Sequence, residues 1–290
     1  MRRKSIFIVN YFGAWPFWFP FFLMSCAKNE DYHWLIITDC NIPENAPPNV
    51  TFLSTTLEEY TKRISDTLQI RLNIQRPYKL CDLRPALGVV HDREIEGYEF
   101  WGYCDVDVIF GDINSFITDE KMDKYQLITS HSRRVSGHLT LIKNCDEMKE
   151  LYKKIPGWEM KMSSEKHYSF DEKGFSELFV RHKNFPEKIR KAVSKLYTLP
   201  RMVSMEEAYS TPNMKHAWVD GSYNFPKMWV WNAGKLTTDI NGDREFPYLH
   251  FKHWKDFIWP NLNVCDLMPE IPVSLDSKWS ISADGFRLIG

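Results

Sequence analysis

Two aspartates separated by a single valine, Asp105 and Asp107, sit within "YEFWGYCDVDVIFGDI", residues Tyr98 to Ile113, among aromatic and apolar neighbours. Residues i and i+2 of a strand project to one face, so the two carboxylates are expected to point together while Val106 and Val108 point away. Like charges side by side at the end of a buried strand repel each other and are costly to strip of water. A divalent cation removes that cost, and oxygen ligands suit Mg²⁺ or Mn²⁺. A cation held by few protein oxygens completes its shell with phosphate oxygens, so the pattern suits a phosphorylated ligand held through a metal. A bare D-x-D also arises by chance and often caps a turn. The surrounding elements decide which reading applies.

Those elements alternate. "SIFIVNYF" is a short apolar run with β-branched residues, expected as a strand buried on both faces and starting near residue 4. "PFWFPFFLMSCAKN" reads as the first helix, "HWLIITDC" as a second strand ending in Asp39, and "NVTFLST" as a third. "TLEEYTKRISDTLQI" has a Thr cap, glutamates in its first turn, and Leu57, Tyr60, Ile64 and Leu68 at helical spacing. "YKLCDLRPALGVV" reads as a helix kinked or restarted near Pro85, and "FWGYCDVDVIF" as one continuous fourth strand. Strands alternating with helices predict an α/β fold with a doubly wound, mostly parallel central sheet. Ligands collect at the carboxyl ends of strands in such sheets.

Further along, "YQLITSH" and "SGHLTLIKN" read as strands and "DEMKELYKKI" as a helix. The section from 155 to 215 is mixed. "KMWVWNAGKLTT" predicts a hairpin turning at Asn232-Ala233-Gly234. The final "LDSKWSISADGFRLIG" carries no usable motif. With no repeat, low-complexity segment or linker, the 290 residues are expected to form one domain.

Composition sets the outer bounds. At 43% hydrophobic and 26% charged residues, the chain is globular rather than disordered. A formal charge of −1 lacks the basic excess of a nucleic-acid binder. Eleven tryptophans serve either a core or an aromatic cleft. Six scattered cysteines without a close CxxC pair argue against a zinc site or disulfide framework and fit reduced cytoplasmic thiols. The basic start "MRRKSIF" leads into an apolar tract broken by Asn10, Tyr11, Gly13 and two prolines. That tract is short of the ~20 residues a membrane helix needs. A cytoplasmic protein is expected, with peripheral membrane contact through "RRK" and the aromatic tract as an alternative to a buried first helix.

Six segments together resemble the GT-A glycosyltransferases, nucleotide-sugar enzymes with a D-x-D motif, of the type that builds bacterial surface polysaccharide and lipopolysaccharide. They are "IVNYFG", "LIITD", "YKLCDLRPALG", "FWGYCDVDVIFGDI", "SGHLTLIKN" and "YLHFKHWK", spanning roughly residues 4 to 255. The resemblance implies a metal-dependent enzyme, with Mn²⁺ or Mg²⁺, that moves a sugar from a UDP-linked donor to a saccharide or lipid-linked saccharide. It implies a nucleotide-binding half over about 1–115, an acceptor and metal-completing half over about 116–260, and a tail over 261–290.

Residue by residue, the resemblance puts Asn10, Tyr11, Phe12 and Gly13 around the nucleotide and Asp39 at the base. Lys79, Asp82 and Arg84 fall near the nucleotide or sugar, with a surface salt bridge as their ordinary alternative. Asp105 would lie near ribose and metal, Asp107 would ligate the metal directly, and His250 would complete its shell, with His253 second. Lys252 and Lys255 would neutralise the pyrophosphate. Asp171 or Glu172, about 65 residues after the D-x-D, would be the catalytic base of an inverting enzyme; with no base here the enzyme would retain configuration, and Asp171 is otherwise a helix N-cap. Ser136, Gly137 and His138 would line a donor-sugar or acceptor pocket.

Two other classes stay open. "DVDVI" loosely matches the nucleophile loop of haloacid-dehalogenase-type phosphatases, although three strands precede it here. A non-catalytic nucleotide-sugar-binding module is the second.

Overall fold

Ser5–Asn10 (β1) sends Ile6 and Ile8 to one face and Phe7 and Val9 to the other, and all four are buried. Such a strand needs a layer on each side. Phe19–Ala27 (α1) packs Phe19 and Phe22 against the Phe7 side, and Leu57–Leu68 (α2) packs Tyr60 and Ile64 against the Ile6 side. The second helix begins with a capping box: the Thr56 hydroxyl accepts from Glu59 N at 3.1 Å, and the Glu59 carboxylate accepts from Thr56 N at 3.0 Å. Losing such a cap costs about 1 kcal/mol.

The computed structural model describes residues 4–180, 185–194, 196–268 and 274–289. Arg2 and Arg3 of the basic start and residues 269–273 of the tail lie outside the described residues. The aromatic tract is largely core, with Phe19, Phe21 and Phe22 buried. No helix among the described residues is long and apolar enough to cross a membrane.

The remaining strands are Tyr32–Thr38 (β2), Val50–Ser54 (β3), Phe100–Cys104 (β4), Val108–Phe110 (β5), Leu127–Thr129 (β6), Leu139–Lys143 (β7), Val203–Met205 (β8), Met228–Asn232 (β9), Lys235–Thr238 (β10), Tyr248–His250 (β11), Lys278–Ser282 (β12) and Gly285–Leu288 (β13). Among the described residues, seven form the central sheet in the order β3-β2-β1-β4-β7-β6-β8. The first four run parallel, β7 is antiparallel to both β4 and β6, and β8 is parallel to β6. The fold is therefore α/β with a mostly parallel central sheet, as the alternation of elements predicts.

Three expectations need correction. The segment from Phe100 to Phe110 is not one strand: β4 stops at Cys104, and β5 leaves the sheet to pair antiparallel with β11. Pro77–Ala86 is a 3₁₀ helix, and only Leu87–Val90 is α-helical, since a proline at position 85 removes a backbone donor. The unassigned C-terminal stretch forms β12 and β13, which join the β9–β10 hairpin in an antiparallel sheet ordered β10-β9-β12-β13. The hairpin turns as predicted, with Ala233 and Gly234 both at positive φ (50° and 94°). Here the tryptophans find their role: Trp218, Trp229, Trp231, Trp254, Trp259 and Trp279 are buried in one aromatic core beneath this sheet.

Gly102 marks the closest approach inside the central sheet, because a Cβ there would lie 2.2 Å from the Thr140 carbonyl on β7. Gly102→Ala is expected to destabilise the fold by roughly 1–3 kcal/mol. Urea denaturation monitored by tryptophan fluorescence measures this.

Candidate functional site

A cavity of about 470 Å³ opens at the carboxyl ends of β1 and β4. Val9 to Phe12 contribute one wall, as do Cys104 to Asp107 in the break between β4 and β5. The 3₁₀ segment adds Tyr78, Cys81 and Arg84, the approach to β7 adds His138, and the turn after Ser169 adds Asp171 and Glu172. The end of β11 and the short helix Lys252–Phe257 add His250, Lys252 and Lys255.

Because the chain leaves the sheet after Cys104, strand alternation does not orient the two aspartates. Their charges are separated by partners instead. Arg84 Nη2 donates to Asp105 Oδ1, and Lys255 Nζ lies 2.5 Å from Asp107 Oδ2. His250 Nε2 stands 3.5 Å from Asp107 Oδ2 and 4.0 Å from Asp105 Oδ2. Burial works against the charged form of Asp107, but His250 and Lys255 outweigh it and hold the carboxyl well below the usual range. Burial likewise opposes the Lys255 ammonium, and Asp107 overcomes this and raises it.

His250 is aimed by its strand. Pairing of β11 with β5 sets it opposite Val108, one residue beyond Asp107. Its backbone N–H donates to the Ser210 carbonyl at 2.7 Å, and the Thr211 hydroxyl sits 3.3 Å from Nδ1, leaving Nε2 towards the acids. The buried imidazole of His138 stacks on that of His250 with centroids 4.3 Å apart, and burial keeps it uncharged. One ligand atom each from Asp105, His138 and His250 lies within 4.8 Å of the others. An uncharged imidazole and a carboxylate oxygen are chemically fit to hold a divalent cation, and nitrogen donors favour Mn²⁺ over Mg²⁺. Asp107, expected as the direct ligand, stands beside this group, against Lys255.

Arg84 links the aspartates to the far wall. Its Nη1 donates to Asp171 Oδ2 at 3.1 Å and to the Gly137 carbonyl at 3.0 Å. A Cβ on Gly137 would lie 2.7 Å from that nitrogen, so only glycine leaves the guanidinium its seat. Asp171 is 3% exposed, and burial lifts its carboxyl to about 7 despite the pull of Arg84. It is not a helix N-cap: the chain turns at Ser169, in the left-handed region at φ 52°, and Asp171 lies inside the following π turn.

Several predicted residues play supporting roles. Lys79 and Asp82 do not line the cavity; they form a buried pair at 2.8 Å. Asp82 accepts the backbone N–H groups of Tyr168 and Phe170 at 2.8 and 2.7 Å, which fixes the turn carrying Asp171. Asp39 accepts the Gly13 N–H at 2.7 Å, bracing the loop after β1 from outside the cavity. Ser136 is buried behind the site, its N–H on Thr129. Lys252 lies at the rim, paired with Asp256, and His253 lies away from the cavity. Sequence reasoning missed Tyr78, Cys81, His167 and Ser169 as lining residues, and missed His138 as a member of the ligand group. Tyr78, Cys81 and His138 lie inside segments that carry the resemblance but have no spacing of their own that marks them out, and His167 and Ser169 carry no periodic or motif signal.

An acid whose folded pKa is raised weakens the fold above its unfolded value of about 3.9. That cost is absent near pH 4 and complete above the folded value of about 7. Asp171→Asn is therefore expected to raise the melting temperature at pH 8, with the gain shrinking towards pH 4. Thermal unfolding across that range checks the sign.

No curated protein matches the chain. Among solved structures, the galactosyltransferase LgtC in complex with donor and acceptor sugar analogs is 12% identical, covering 59% of this chain and 71% of that chain with a TM-score of 0.34. An active-site mutant of LgtC gives 12% identity, the same coverage and a TM-score of 0.35. The glycosyltransferase GlyE of Streptococcus pneumoniae TIGR4 is 13% identical over 72% of this chain and 46% of that chain, with a TM-score of 0.30. The profile of the family of unknown function DUF6625 matches residues 7–262, and the chain belongs to that family.

Proposed function

We propose that the chain is a glycosyltransferase that binds a nucleotide-sugar, UDP-linked, together with a divalent cation. The observation that carries this reading is the meeting of Asp105, His138 and His250 with Lys255 on one cavity at the ends of parallel strands. An acid-and-histidine cluster beside an ammonium suits a diphosphate held partly by a metal and partly by the protein. When bound, the cation would offset charge developing on the departing diphosphate.

The chain's own residues supply the rest. Asn10, Tyr11 and Phe12 form the wall for the nucleoside, and Asp39 braces Gly13 at the end of that loop. Lys255, and Lys252 at the rim, meet the diphosphate's negative charge. Arg84 holds Asp105 on one side and Asp171 on the other, fixing the distance between metal group and base. Asp171 is the base: a carboxyl near 7 takes a hydroxyl proton far more readily than one near 4. Glu172 stands next to it, paired with Arg134 at 3.2 Å. With a base opposite the leaving group, the reaction inverts configuration. The acceptor is a saccharide or lipid-linked saccharide; its place in bacterial polysaccharide assembly rests on the resemblance of the six segments.

Addition of UDP and Mn²⁺ together is expected to raise the melting temperature by several degrees, well beyond either alone. Asp105→Asn should abolish the joint effect. Absence of response to any nucleoside diphosphate, with or without metal, would contradict the proposal.

A further inference from the structure

Beside the main cavity lies a second one of about 170 Å³, and the two share His138, Glu172, His250 and Lys252 as a common wall. Its own lining is a mixture of aromatic rings and hydrogen-bonding groups: Tyr209, Phe225 and Trp218 with His131, Arg134 and Glu207. Trp218 is buried beneath, its indole N–H donating to Asn241 at 2.9 Å, while Tyr209 and Phe225 are half-buried.

The polar groups are incompletely satisfied. His131 is 6% exposed, and its Nδ1 accepts the Arg133 N–H at 3.1 Å, which leaves the proton of the neutral ring on Nε2. That Nε2 is buried with no hydrogen-bond partner, as is Arg134 Nε. A buried donor without an acceptor is uncommon and points to a missing one. Glu207 receives the Tyr209 backbone N–H and long contacts of 3.4 Å from Ser132, and two carboxylate oxygens with about four lone-pair sites retain acceptor capacity beyond these. Of the fixed charges, Arg134 pairs with Glu172 at 3.2 Å, whereas Glu207 has beside it the acceptor nitrogen of the neutral His131 ring, 3.7 Å away. What remains is donors, ring faces and the acceptor carboxylate of Glu207.

Backbone conformation adds an independent sign. Tyr209, on the loop that forms this wall, holds a left-handed φ of 53°. Non-glycine residues held there tend to cluster at ligand sites.

We infer that this second cavity is a saccharide subsite that takes one neutral sugar ring, held by His131, Glu207 and the Tyr209 ring. On the transferase reading, on which this role rests, the bound ring is the acceptor's terminal sugar. Its reacting hydroxyl then lies across the shared wall from the diphosphate site. A neutral ring is favoured over a uronic acid because a carboxylate would face Glu207, while the charge of Arg134 is already met by Glu172.

Saturation-transfer NMR of the full chain with neutral methyl hexosides and with methyl glucuronide tests this directly. Neutral hexosides are expected to give signals that methyl glucuronide does not, whether or not UDP and Mn²⁺ are present. Tyr209→Gly removes the ring while relieving the left-handed backbone, so the fold should be kept and affinity should fall about tenfold. Glu207→Gln should weaken binding similarly, and the response to UDP and Mn²⁺ should stay as in wild type in both variants. No neutral hexoside signal, a preference for the glucuronide, or signals unchanged in both variants would overturn the subsite. Should hexosides bind as expected while no nucleotide does, the subsite stands and the transferase reading falls.

Discussion

The site depends on matching buried acids to buried cations. Asp107 and Asp171 are almost wholly removed from water and Asp105 partly so, and each carboxylate stripped of solvent alone would cost several kcal/mol. Arg84 spans Asp105 and Asp171, and the Lys255 ammonium closes on Asp107 with the His250 ring beside it. The balance is uneven. Asp107 is held well below the usual carboxylate range, whereas burial wins at Asp171 and lifts it to about 7. Two acids of one cavity are thus driven apart in proton affinity, and on the proposed function one would serve charge binding and the other proton transfer.

That balance requires segments far apart in the chain to arrive together. The break after Cys104 sends β5 towards β11, and their pairing delivers His250 and then the helix bearing Lys255. The aromatic core under the C-terminal sheet holds this arrangement down: Trp231 Nε1 donates to the Phe110 carbonyl at 2.9 Å, tying β9 to β5. On the other side, the Lys79–Asp82 pair fixes the turn that carries Asp171. Residues that touch no ligand therefore set the spacing of those that would.

Much of this was legible in the chain. The alternation of apolar runs foretold the parallel part of the sheet, and Thr56 with Glu59 announced α2. The prediction of strand alternation at Asp105 and Asp107 failed because a continuous apolar run does not reveal where a strand leaves its sheet. β8, β12 and β13 were invisible for a related reason: short strands in mixed sequence are defined by distant partners, not by their own pattern. His138 was read as pocket lining, because its stacking on His250 depends on a contact across more than a hundred residues. Burial at Asp171 was equally unreadable, since a carboxylate at the head of a helical stretch looks like a cap.

The central claim is that the charge of Asp105, with two imidazoles, is completed by a cation and a diphosphate. Electron spin-echo measurements on the chain with Mn²⁺ and UDP address it most directly, because nitrogen nuclei bound to Mn²⁺ modulate the echo. The account predicts coupling to two histidine nitrogens, reduced to one in His138→Ala and in His250→Ala alike. A tightly bound Mn²⁺ showing no nitrogen coupling, or no bound Mn²⁺ in the presence of UDP, would contradict it.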